Sequence, residues 1–578
     1  MTDARRSSMA LRRVAAVMVV LGVSAGPLGR AIIRFIYEAP SGGRISRLIA
    51  GGSRERGLDE YLTLLSPLTT TVSVWAAIIA LLLGLMAFES PGLWERIARV
   101  RPSLVLTVVH LVAWGLLLLS AAGVYWDDWS FYARPLSETF RLHAEGGRPL
   151  NNLYDLFVRG FGATGLSFLS LVIHLLVGLG FFTILERCGH GSRGERVIAA
   201  AVLLAAPLNA ARQTYAVFQY TFSLGLLVVG WYLLIRSADR LRRREVGIVA
   251  ALFALAAFTP SIGLFTYIVL AHVALSSWSR TGSRAHARHL MPLLPIPALV
   301  VAIDQFVLVP SGAMKEYNTV DASTLVAWGL LSLVVVAATG VIAVQRYRRP
   351  AWRPGLLAFL LPMSLGTALI VVSLLPYAVV GRTPQLRFPP FGLMGTRHEL
   401  LVGFGLAVLI VGLLRGVYHV SGRHVRNVAA VALIVALALQ SAVISASYWV
   451  EYQKQTQFMA HISRAAGMES LDGAPTVLLD DRTVDCNALT RNIRPDEWEA
   501  QIRLQRPDFT GRVILDSVDR PARQDIDVII VVRNLRDRCE VTPALVPLWT
   551  LAGLPRLMRL PKLVIIPPDL ETDISSVG

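Results

Sequence analysis

The sequence predicts an all-α polytopic membrane protein of about 13 transmembrane helices, N-terminus in and C-terminus out, carrying a small extracytoplasmic α/β domain at its C-terminal end. Three observations predict it. Of the 578 residues, 54% are hydrophobic and only 16% charged, and the mean hydropathy is +0.54; a water-soluble domain does not carry so little charge. Thirteen apolar windows recur between residues 14 and 447. Arginines recur in every second connection between them, as the positive-inside rule requires.

The windows fall near 14–36, 63–88, 103–124, 161–185, 197–210, 217–235, 246–260, 261–277, 291–309, 323–344, 355–376, 399–414 and 428–447. The fifth and seventh are short and end at Pro207 and Pro260, which is tolerable where a span faces protein instead of lipid. The N-terminus carries Arg5, Arg6, Arg12 and Arg13, and the connections "ERIARVRP", "ERCGHGSRGER", "RSADRLRRRE", "SRTGSRAHARH", "QRYRRPAWRP" and "RGVYHVSGRHVR" fall on the same side. The net charge of +17, from 56 basic against 39 acidic residues, is thus explained by topology without nucleic acid. One connection, 37–62, disagrees: it places Arg44, Arg47, Arg54 and Arg56 outside. Residues 1–25 have the charged head, apolar run and small-residue end of a signal peptide, and their cleavage or retention leaves the parity unchanged. The "GVSAG" within them lacks the strand and soluble helix that a nucleophile elbow needs.

Past residue 447 the composition turns polar. In 448–578, "PTVLLD", "GRVILD", "DVIIVV" and "KLVIIPP" read as buried strands, and "PDEWEAQIRLQ" and "TPALVPLWTLAGL" as helices, with a helix near 449–467 leading in. The chain therefore divides into a transmembrane part, 1–447, and an α/β domain, 448–578. Cys486 and Cys539 both lie in the latter, where an extracytoplasmic location would let them pair; closing a loop of that size stabilises by about 4 kcal/mol. Cys188 lies in a connection assigned to the cytoplasm.

The candidate chemistry begins at "YWDDWSFYARPLSETF". Asp127 and Asp128 abut at the exit of the third span and open an outer loop, 125–160. A carboxylate at the bilayer centre costs roughly 2.5–3.5 kcal/mol, so even one at the edge needs a reason. Abutting carboxylates raise one another's pKa, and such a pair can take a proton from a hydroxyl or hold a divalent cation. Trp126, Trp129, Phe131 and Tyr132 form an interfacial belt, and Leu136, Phe140, Leu142 and His143 share a helix face that lies along the membrane. Other outer loops offer Arg212, Gln213 and Tyr215; Lys315, Glu316 and Tyr317; and Arg382, Arg387, Arg397 and His398. Arginine suits phosphate because its fork donates two parallel hydrogen bonds. Within the spans ionisable residues are few, Asp304 chief among them. No Walker loop, H-E-x-x-H or C-x-x-C occurs. An enzyme working outside without ATP must draw its activated group from the membrane.

An acidic pair in the first large outer loop, directly after a membrane helix and before an amphipathic segment, resembles the GT-C superfamily of membrane glycosyltransferases over residues 103–415. "YWDDWSFYARPL…GRPL" is closest to its bacterial O-antigen glucosyltransferase, aminoarabinose transferase and arabinosyltransferase types; two spans precede the one leading to the acidic loop, a departure from the simplest pattern. The resemblance implies a bacterial inner-membrane enzyme that transfers a sugar with inversion. The donor would be a polyprenyl-phosphate sugar and the acceptor a hydroxyl of an envelope glycan, lipid or protein. It implies Asp127 as the base, Asp128 as its orienting partner or a metal ligand (Mg, Mn or Ca), and Arg397, with His398 or Arg212, at the leaving phosphate. Gln213, Tyr215 and Arg382 complete the set expected to bind the donor. The alternatives are a transporter or flippase of lipid-linked glycans, which places its ionisable groups at mid-membrane, and a polymerase or ligase relying on outer-loop arginines alone.

Overall fold

The computed structural model describes residues 100–126, 128–129, 134–145, 151–237, 242–281, 290–308, 334, 339, 354–379, 397–464, 476–481, 493–515, 528–534 and 570–576. Ten helices are described before the sheet: α1 Pro102–Trp114, prolonged by a 3-10 turn to Ser120, α2 Leu136–Glu145, α3 Asn151–Arg187, α4 Arg193–Ala205, α5 Phe218–Arg236, α6 Arg243–Ala257, α7 Pro260–Thr281, α8 Pro295–Ile303, α9 Pro354–Val379 and α10 Val402–Arg464. Local sequence sets their starts. α1, α7, α8 and α9 begin on proline, whose fixed φ suits the first turn and whose missing N–H is not needed there. α4 begins with a capping box, Ser192 accepting from the Glu195 N–H while Glu195 accepts from the Ser192 N–H.

Among the described residues six helices are long and apolar enough to cross a membrane: Pro102–Ser120, Val158–Arg187, Phe218–Arg236, Pro260–Trp278, Phe359–Ala378 and Val402–Ala460. The shorter α4, α6 and α8 fill three more of the expected windows. The windows at 14–36 and 63–88, and nearly all of 323–344, lie outside the described residues. The window expected from 399 starts later: Arg397–Glu399 form a 3-10 turn, and α10 begins at Val402.

Contacts sort the helix ends into two groups. Arg193 Nη2 donates to Val100 O, Arg415 bridges Glu195 at 2.7 Å, and His190 meets His272. All of these but His272, which lies within α7, belong to the arginine-rich connections. At the opposite group Ser167 Oγ donates to Ala121 O, Tyr448 OH to Ala210 O, and Ser261 Oγ shares a hydrogen bond with Tyr377 OH. Helices α3 and α10, with the residues at their ends, have contacts in both groups. α10 is the clearest case. Its start packs with the Tyr377 end, Arg415 reaches the arginine-rich end, and Tyr448 is back at the first end. The reversal sits at Gly422, where φ is 82° and ψ 177°, a conformation essentially restricted to glycine.

Between the two ends lies one continuous apolar core. Phe404 is its hub, with ring centroids of Phe181 at 5.1 Å, Phe265 at 5.6 Å and Trp231 at 6.0 Å. α9 and α10 approach with backbones touching; a β-carbon on Gly405 would lie 2.8 Å from Gly366 O. With lipid as apolar as the helices, such close packing of small residues is what holds spans together.

The C-terminal strands β1 Thr476–Asp481, β2 Arg512–Leu515, β3 Val528–Asn534 and β4 Leu570–Ser576, with helix α11 Pro495–Gln505 between β1 and β2, form one sheet of order β2-β1-β3-β4. The first three are parallel, with Val477 beside both Val513 and Val528, and β4 joins antiparallel to β3. Three expected strands and one expected helix are present. β4, "LETDISS", is an added edge strand, too polar to stand out in sequence, that pairs antiparallel with β3. The "KLVIIPP" and "TPALVPLWTLAGL" segments, Cys486 and Cys539 lie outside the described residues. The domain core includes Phe458 and Ile462 of α10, with Phe458 edge-on to Trp498 at 4.4 Å, so the last span continues directly into the domain.

Candidate active site

The exit of α1 is an ordered turn. The Asp128 N–H donates to Tyr125 O and the Trp129 N–H to Trp126 O. Trp126 sits at φ 51°, an unusual place for a bulky side chain. The turn is anchored from three directions. Tyr125 OH donates to Ser120 O and Tyr448 O, while its ring lies edge-on to Tyr448 at 4.9 Å. Gln455 of α10 pairs with both the N–H and the carbonyl of Val124. The Trp126 N–H donates to Glu497 Oε2 of α11 at 3.1 Å. Helix α11 thus reaches the acidic loop, and Val124, Trp129 and Ala500 pack together.

Asp128 is 2% exposed, and its Oδ1 accepts from the Ala216 N–H at 2.9 Å. Ala216 belongs to the α4–α5 connection, the segment of the predicted Arg212, Gln213 and Tyr215. In that connection Asn209 adopts the left-handed conformation, φ 52°. Asn209 and Trp126 are the only non-glycine residues with positive φ among those described, and they flank the two arms of the site.

Arg212 is buried on this ledge. Its Nε donates to Asn209 O and its Nη2 to Leu208 O at 2.7 Å, and its guanidinium stacks 3.6 Å over the Trp114 ring. No carboxylate faces it among the described residues. Burial accordingly pushes the guanidinium down to about 9, still cationic at neutral pH. Around it lie polar atoms without hydrogen-bond partners: both ends of the Asn209 amide, His110 Nδ1 and His174 Nε2. The other nitrogens of the two histidines are held by Leu171 O and Ser170 O. A cation with unpaired polar neighbours and no counter-ion is arranged to receive an anion.

Gln213 is spent differently. Its amide nitrogen donates to Leu117 O and Ser120 O, closing the 3-10 turn that ends α1. Tyr215 opens the next turn, with its side chain outside what is described. Ala206 and Leu208 pack on Leu374 and Val402, which brings the α4–α5 connection beside the start of α10. There His398 is buried and stacks on Tyr377 at 4.3 Å, Arg397 is half-buried, and Glu399 is 3% exposed with Oε1 unpaired. Burial pushes the Glu399 carboxyl up to about 8. Asp127, Arg382, Arg387, Lys315, Glu316 and Tyr317 lie outside the described residues. For a divalent cation Asp128 offers one carboxylate, one oxygen of which already binds Ala216; among the described residues no second carboxylate is shown to join it.

The amphipathic helix α2 forms as expected, but its most buried residues are Thr139 and His143, and His143 Nε2 lies 2.8 Å from Asp155 Oδ2 of α3. Sequence reasoning passed over His110, His174, Asn209 and Glu399. The two histidines carried a usable signal, being ionisable side chains inside apolar windows; the other two had none. Asp304 is buried at the end of α8 and opens a π-turn.

No protein-family model, curated protein or solved structure matches the chain.

Proposed function

We propose that the chain is an inverting glycosyltransferase of the GT-C kind. It spans the cytoplasmic membrane of a bacterium thirteen times and moves a sugar from a polyprenyl-phosphate donor to an envelope hydroxyl at the outer face. One observation carries the reading: buried Asp128 and buried Arg212, which has no counter-ion among the described residues, sit on one ledge, at the end of the bundle opposite the arginine-rich connections. By the positive-inside rule that end is the outer one.

The chemistry follows from the placement. The acceptor hydroxyl loses its proton to Asp127, with Asp128, whose carboxylate accepts from the Ala216 N–H, as the orienting partner. The oxygen attacks the anomeric carbon as the bond to the donor phosphate breaks. Charge grows on that phosphate, so Arg212, already desolvated and stacked, stabilises the transition state more than the ground state. His110, His174 and Asn209 provide polar atoms without competing partners, and Arg397 and His398 close the side toward α10. The C-terminal domain braces the acidic turn through Glu497.

The test is transfer of radiolabelled sugar from a polyprenyl-phosphate donor by purified protein in detergent. Asp127→Asn abolishes transfer with donor binding retained, and Arg212→Met loses donor binding. Full transfer by both variants refutes the reading, and movement of donor across vesicles with no new glycosidic bond establishes the transporter instead.

A further inference from the structure

At the arginine-rich end, far from the site above, three side chains of metal-ligating type converge. Helix α3 ends in "ERCGHGS". The Gly189 N–H donates to Glu186 O and the His190 N–H to Leu185 O, and Gly189 lies at φ +69°. This is a Schellman cap, and glycine is the residue that permits it. The cap folds Cys188 and His190 back onto one side, despite their separation by a single residue. Opposite them stands His272 of α7. His190 Nε2 and His272 Nε2 are 2.9 Å apart, and the ligand atoms of Cys188, His190 and His272 all lie within 4.8 Å of one another. Among the described residues this is the only such group of three.

We propose that Cys188, His190 and His272 form a metal site that ties the α3–α4 turn to α7. One thiolate and two imidazoles suit a borderline-soft divalent ion; zinc is the match, with a fourth position left to water. His190 is exposed, which gives the ion a path in, and Ser276 Oγ lies 3.3 Å from His272 Nε2 beside that fourth position. The proton accounting is explicit. Cys188 releases its thiol proton to solvent as the S–metal bond forms. In the metal-free arrangement the Trp231 indole N–H donates to His272 Nδ1 at 3.1 Å, so His272 carries its proton on Nε2. Binding moves that proton to Nδ1 through water, and the Trp231 bond is given up. The hydrogen bonds of His272 to His190, Ser276 and Trp231 are given up against three coordinate bonds gained. The site is independent of the glycosyltransferase reading.

The experiment uses the full-length protein in detergent, purified without chelator. Elemental analysis should find about one zinc per chain, displaced by a strong chelator. Cobalt titrated into the stripped protein should give tetrahedral visible bands and a thiolate charge-transfer band in the near ultraviolet. Cys188→Ser removes the charge-transfer band; His190→Ala and His272→Ala weaken cobalt binding on the order of a hundredfold. Trp231→Phe, which deletes a competing donor and no ligand, keeps the ion and serves as the folded control. Wild-type protein that holds no zinc and gives no cobalt bands overturns the proposal, as does a charge-transfer band unchanged in Cys188→Ser.

Discussion

Replacing Glu399 by Gln should flatten the pH dependence of stability. Glu399 is 3% exposed and Oε1 has no partner, so burial alone lifts its carboxyl from 4.5 to about 8. The folded pKa lies above the unfolded one, so the folded chain holds an extra proton between those values and stability falls as pH rises through the window. At about 1.36 kcal/mol per pH unit the full cost approaches 5 kcal/mol above pH 8. Most of it is lost between about pH 5 and pH 8. Glutamine keeps the shape and removes the charge. Two measurements check this in detergent: thermal unfolding across that range, and the infrared absorption of the protonated carboxyl, taken as wild type minus Glu399→Gln. The wild type should lose stability relative to the variant as pH rises, and the carboxyl band should persist at neutral pH and fall to half near pH 8. A band that titrates near 4.5, or parallel stability curves, refutes the assignment of Glu399 as a buried neutral acid.

Asp127→Asn should lower sugar transfer by about 10²–10⁴, read as initial rates, whereas Asp128→Asn keeps an acceptor for the Ala216 N–H and should retain most of the transfer. Polyprenyl phosphate should raise the unfolding temperature of wild type and leave Arg212→Met unmoved, because only the wild type has the buried Arg212 cation to receive the phosphate. Glu497→Ala leaves the Trp126 N–H without its acceptor; the acidic turn should lose about 1–3 kcal/mol, seen as faster hydrogen exchange at Trp126–Trp129, and transfer should fall although no substrate contact is touched. Gly422→Ala should cost about 1–3 kcal/mol in thermal unfolding, since alanine does not fit φ 82°, ψ 177°.

The apolar helices long enough to cross a membrane were legible in the chain because they rest on local rules. Apolar length, proline at first turns and the placement of arginine act within one element and its ends. Short β-branched runs betrayed three strands for the same reason, whereas β4 depends on pairing with β3 and escaped notice. The tertiary structure alone decided what each polar side chain is for. Arg212 and Gln213 are neighbours in sequence, yet one lies over Trp114 without a carboxylate and the other closes a backbone turn. Glu399 looks like a boundary acid and is instead buried. Cys188 and His190 become a candidate metal site only when α7 brings His272 beside them. Those roles depend on desolvation and on partners distant in sequence, and burial is a property of the packed assembly that no local pattern encodes.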